Sequence, residues 1–189
     1  FAQKIRSFFY ICTLAFPVPG CYNGNGKDVP AAGAFGLLFR GRMKAMKKFQ
    51  VALQLYSIRD EMEKDMEGTL REVKAMGYDF VEFAGYFGRS AEEVRAMLDA
   101  AGLACVSVHQ SYDVFLTNGE YEVDFLKTIG AKYCAVPWMK DGHKGSESFD
   151  KTLADYTKIS GMLKKAGIQF LYHNHDFEFE TVDGKYKLD

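Results

Sequence analysis

Four stretches of this chain repeat one pattern: a helical segment, a glycine, then a short apolar run. They read KAMGYDFVEFAG, DAAGLACVSVHQ, KTIGAKYCAVPW and KKAGIQFLYHNH, with the glycines at Gly77, Gly102, Gly130 and Gly167. A glycine just past a helix takes the left-handed conformation without a Cβ clash, so each marks a helix stop. The helical parts show apolar spacings of three and four, as in Met66, Leu70, Val73 and in Val94, Met97, Leu98, Ala101; Leu153, Tyr156 and Leu163 follow it less regularly. Ser90 with Glu93 three residues later predicts a capping box. The runs after each glycine are almost continuously apolar, as strands of a helix-covered parallel sheet are. With VALQLYS at 51–57 added, the chain reads as five strands and four helices in strict alternation.

Strict β/α alternation leaves two main architectures, the open doubly wound sheet and the closed eight-stranded barrel. A nucleotide-binding open sheet carries a glycine-rich loop after its first strand. Here that strand runs into QLYSIRDEM, which has no glycine.

The first 45 residues do not share this rhythm. KIRSFFYICTLAFPVPGC has the outline of an export leader, although its apolar run is too short to span a bilayer and contains Pro17 and Pro19. Upstream read-through or a misassigned start is the favoured reading, with Met46 as the natural beginning. The division is therefore residues 1–45, a segment foreign to the domain, and residues 46–189, the β/α domain. Charge divides the same way. The first part holds six Lys/Arg against one Asp, and the second eighteen against twenty-four Asp/Glu. An acidic body argues against a nucleic-acid partner. Cys105 and Cys134 lie inside apolar strands with no metal-type Cys spacing, which points to a reducing, cytoplasmic setting; no membrane partner is expected.

Polar residues fall where such barrels keep their chemistry, at the C-terminal strand ends. Strand one ends with Gln54, Tyr56, Ser57 and Arg59, and strand two carries Glu82 within FVEFAG. Strand three ends at His109, strand four at Trp138, and strand five with His173, Asn174 and His175. A lone glutamate in an apolar strand costs several kcal/mol unless paired, so Glu82 is either a working carboxylate or half of a structural ion pair. Residues two apart on a strand point the same way, so His173 and His175 share a face, with Asn174 turned outward. Two imidazoles on one face can begin a metal site, but further ligands are needed; Glu82, His109, Asp176 and Glu178 are the candidates. His143 sits in a polar loop and reads as solvated.

QLYSIRDEM, EGTLREVKAMGYDFVEFAGYFG, SVHQS, GAKYCAVPWM and YHNHDFEF resemble, in order, the sugar phosphate isomerase/epimerase family of xylose isomerase-like TIM barrels. The resemblance runs from about Met46 to Asp189. It implies an incomplete (β/α)8 barrel and a divalent metal (Mn, Mg, Co or Zn) that stabilises an enediolate while side chains move a proton. It implies His173 at the strand-five ligand position, where many relatives have glutamate. It implies Glu82 and His109 as catalytic pocket residues, and Gln54, Tyr56, Trp138 and His175 as substrate-binding ones. The expected substrate is a small sugar or polyol, with or without phosphate. The alternatives are an inosose dehydratase-like lyase and a non-catalytic partial barrel. A full barrel needs about 250 residues, so the chain is expected to be a fragment, inactive alone, with two open parallel edges that favour self-association into a homo-oligomer.

Overall fold

The computed structural model describes residues 51–137 and 146–187. The segment 1–45 and the residues Trp138 and His143 lie outside the described residues.

Five strands form one parallel sheet: β1 (Ala52–Gln54), β2 (Phe80–Phe83), β3 (Ala104–His109), β4 (Tyr133–Val136) and β5 (Gln169–Tyr172), ordered as in the chain. Between them run α1 (Arg59–Lys64) and α2 (Met66–Ala75), then α3 (Ala91–Ala101), α4 (Tyr112–Ile129) and α5 (Phe149–Lys165). Parallel neighbours joined by helical crossovers make successive β/α units, and the outer strands are β1 and β5, as the sequence pattern implies.

The predicted punctuation is present. Gly77, Gly102, Gly130 and Gly167 all have positive φ. At Gly130 (φ 83°) a Cβ would also stand 3.2 Å from the Arg95 guanidinium. The Ser90 hydroxyl accepts from Glu93 N, and the Glu93 carboxylate accepts from Ser90 N at 2.8 Å, which completes the capping box.

Four details differ from expectation. The first helix is two, because Asp65 leaves the helical conformation and caps α2 by accepting from Gly68 N at 2.9 Å. β1 stops at Gln54, and Leu55–Ile58 form a 3-10 turn, so Tyr56 and Ser57 are not strand residues. On α5 the buried stripe is Thr152, Asp155, Ile159 and Leu163, while Leu153 is exposed. The cause is Asp155. It is satisfied under the helix by Tyr112 and by Lys151 at 2.7 Å, so a polar residue takes a core-facing position. After β5 a small antiparallel hairpin, β6 (Thr181–Val182) and β7 (Lys185–Tyr186), turns at Asp183–Gly184, both with positive φ.

Register decides what the two faces of the sheet carry. Phe83, Val108, Cys134 and Phe170 are successive partners across four strands, with Val136 two residues on. All but Phe170 are buried, and they pack with helix residues such as Val94, Leu98, Leu126, Ile129 and Leu163. The opposite face runs Gln54, Glu82, Ser107, then His109 and Ala135, then Leu171. A one-residue register shift between Val81 and Glu82 is what aligns this row. Unshifted pairing would bring Val106 beside Glu82 and turn His109 to the helix-covered face.

Candidate functional site

The polar row ends in a cluster of side chains from three strands and the loop after β5. Glu82 is 3% exposed at the end of β2. Its Oε1 lies 3.2 Å from Nε2 of His109, the last residue of β3. That same Nε2 is 3.4 Å from Nδ1 of His173, just past β5. From β1, the Gln54 amide nitrogen meets His109 Nδ1 at 3.4 Å, while its carbonyl oxygen accepts from Tyr56 N. The rings of His109 and His173 meet edge to face with centroids 4.8 Å apart, and His173 stacks on His175 at 4.9 Å. His109 is thus the hub, held on three sides by groups from β1, β2 and the end of β5.

Glu82 Oε2 is buried and has no hydrogen-bond partner. So is Ser107 Oγ, on the partner residue of Glu82 in β3. Burial pushes the Glu82 carboxyl up. The hydrogen bond and charge of His109, the nearby Ser107 hydroxyl and the charge of His173 outweigh it, and the net shift is downward from the usual 4.5. Ser107 lies close enough to favour the carboxylate without hydrogen-bond geometry to it. His173 moves below its usual 6.5 because burial, then His109 and His175, disfavour a second proton more than Glu82 and Glu178 favour it. At neutral pH the site pairs a buried carboxylate with a neutral His173.

The strand rule for His173 and His175 gives the right neighbours for a different reason. β5 ends at Tyr172, so the two rings are set by the loop that follows. Glu178 holds that loop. It is 2% exposed, accepts from His175 N at 2.7 Å, and also accepts from the Tyr172 hydroxyl. A carboxylate weighed as a metal ligand is therefore engaged as a clamp, and Asp176 is exposed. Tyr56 stands apart from the cluster, 56% exposed under the Arg59 guanidinium. His175 is also exposed, packed between His173 and Phe177. Ser107 is the residue that sequence reading passed over. Its signal was a hydroxyl inside the apolar run CVSVH, opposite a buried acid.

Among the described residues no three His, Cys, Asp or Glu side chains are grouped to hold a metal ion. Both ring nitrogens of His109 face protein groups. Within the Glu82–His109–His173 triad that leaves His173 Nε2 and Glu82 Oε2, two donors where a shell needs at least three. The described residues alone do not fit a metal, and no step below runs through one. No described helix is long and apolar enough to cross a membrane.

No family model and no curated protein matches the chain. Among solved structures, it is similar to a sugar phosphate isomerase/epimerase from Parabacteroides distasonis. Identity there is 25% and the TM-score 0.63, over 77% of this chain and 61% of that one. It also shares its fold with an AP endonuclease of family 2 from Brucella melitensis, at 13% identity and a TM-score of 0.54, over 64% of this chain and 53% of that one. The chain thus spans less than two thirds of either protein. Its five parallel strands and their helical crossovers share the fold of that isomerase/epimerase over 77% of this chain, in line with the TIM-barrel resemblance that its motifs carry.

Proposed function

We propose that the chain belongs to a sugar or sugar phosphate isomerase/epimerase, with proton transfer centred on Glu82, His109 and His173. The observation that carries this reading is Glu82 itself. It is a buried carboxylate held ionised at a strand end, tied through one oxygen to His109 and with its other oxygen unpartnered. A structural ion pair ordinarily satisfies both oxygens.

In this reading the carboxylate takes a proton from the carbon next to a carbonyl. The C–H electron pair becomes the C=C bond of an enediolate, and the carbonyl π pair moves to oxygen. Returning the proton to the adjacent carbon, with the hydroxyl proton passing to the former carbonyl oxygen, isomerises the sugar; a proton delivered to the opposite face by solvent or a second acid epimerises it. His109 orients the carboxylate, and neutral His173 offers an N–H to the developing oxyanion. Positioned acid–base groups of this kind contribute on the order of 10²–10⁴ in rate. Gln54, Tyr56 and His175 would line the approach to this centre. The free buried thiols of Cys105 and Cys134 accord with a cytoplasmic protein.

The resemblance implies a divalent metal; with one bound, His173 Nε2 would be its ligand in place of offering an N–H. The full product of this reading frame, incubated with ketoses, aldoses and inososes with and without Mn²⁺, tests the proposal by NMR of the products. An isomeric or epimeric sugar is expected, with a Mn²⁺-dependent rise in melting temperature. Water loss to a diketone would transfer the reading to a lyase, and no product from any of them would overturn it.

A further inference from the structure

We infer that Gln54 is a positioning residue that sets the tautomer of His109, placing the ring proton on Nε2 toward Glu82. The inference follows from which groups can only donate. Tyr56 N is a backbone donor, so the Gln54 atom facing it is the carbonyl oxygen. The other end of the amide is then NH2, again a donor, and it faces His109 Nδ1 at 3.4 Å. Nδ1 must therefore carry the lone pair. The ring proton sits on Nε2, 3.2 Å from Glu82 Oε1, where a carboxylate needs a donor. Nδ1 of His173, 3.4 Å from the same nitrogen, completes the chain as a second acceptor. The proton of His173 is then on Nε2, directed away from His109.

One backbone N–H thus orients an amide, the amide orients an imidazole, and the imidazole aims its proton at the carboxylate. The register shift in β2–β3 and the 3-10 turn after β1 are the two backbone features that bring these groups into line. The functional consequence rests on the proton-transfer reading above. The orientation itself does not.

The test is ring-nitrogen NMR of the ¹⁵N-labelled chain at neutral pH with EDTA present, the His109 signals being identified by their loss in His109→Gln. Wild type should show a protonated Nε2 and an unprotonated Nδ1. In Gln54→Glu the carboxylate still accepts from Tyr56 N but now faces Nδ1 with an acceptor, so Nδ1 should become protonated. In Gln54→Met, where Glu82 alone still favours the proton on Nε2, a minor population protonated on Nδ1 should appear. A wild-type His109 protonated on Nδ1 would overturn the inference even if neither variant folds. So would a Gln54→Glu protein whose Nδ1 stays unprotonated. No substrate enters this measurement. An inactive protein with the expected tautomer would count against the proton-transfer reading alone, and an active one with the opposite tautomer against Gln54 alone.

Discussion

Replacing Glu82 by glutamine separates a working carboxylate from a structural one. The amide keeps an oxygen to accept from His109 Nε2, now 3.2 Å from Glu82 Oε1. Exchanging a charge-assisted hydrogen bond for a neutral one loses about 1 kcal/mol. Against this, the buried Oε2 has no partner, and neither has Ser107 Oγ on the paired residue of β3. A buried polar atom left unsatisfied costs roughly 1–3 kcal/mol. An NH2 in place of Oε2 removes the buried charge, and a small rotation would let it donate to that hydroxyl. The two effects nearly cancel, so Glu82→Gln should change stability by less than about 1 kcal/mol, a melting shift of no more than about 4 °C for a chain of this size. Losing half of a true buried ion pair would instead cost about 3–5 kcal/mol. Urea unfolding followed by circular dichroism reads the difference. A loss of 3 kcal/mol or more would refute the argument from the unpartnered oxygen and make Glu82 structural.

Other perturbations have definite signs. Glu178→Ala removes the acceptor for both His175 N and the Tyr172 hydroxyl, and should cost roughly 2–3 kcal/mol in chemical unfolding, with faster amide exchange at His175. Ser90→Ala deletes the capping box of α3 and should cost about 1 kcal/mol, read as a lower urea midpoint at unchanged slope. Acid should weaken the fold in two stages. His173 and Glu82 both have depressed folded pKa values, so each contributes stability above its unfolded value that is lost as pH falls through the folded one. The first loss begins below about 6.5 and the second below about 4.5; His173→Asn should remove the first and, by deleting one of the charges that lower Glu82, shrink the second, which a pH series of melting temperatures checks.

Much of this was legible in the sequence because the repeated glycine after each helix fixes a backbone conformation that few other residues take. Gly102 and Gly130 are such stops, and Ser90 with Glu93 is as local a signal. The meeting of Glu82, His109 and His173 was legible because charged or polar residues in apolar strands have little reason to be there unless partnered. What depended on pairing between strands was not. The register shift that puts His109 on the Glu82 face depends on two strands meeting, and neither strand shows it alone. Asp155 beneath α5 misled the helix pattern because its partner Tyr112 is 43 residues away. The Asp183–Gly184 hairpin did carry a local signal, a DG turn between two short β-prone pairs, in a stretch too brief for alternation to stand out.

The measurement nearest the central claim is solvent deuterium wash-in. The full product of the reading frame is incubated in D2O with a ketose, and the carbon beside the carbonyl is followed by NMR. Proton transfer at the Glu82 cluster predicts deuterium at that carbon in wild type and a loss of about 10²-fold or more in Glu82→Gln at unchanged stability. Wash-in at the wild-type rate in Glu82→Gln would contradict the account, because the proton would then be moving through some other group.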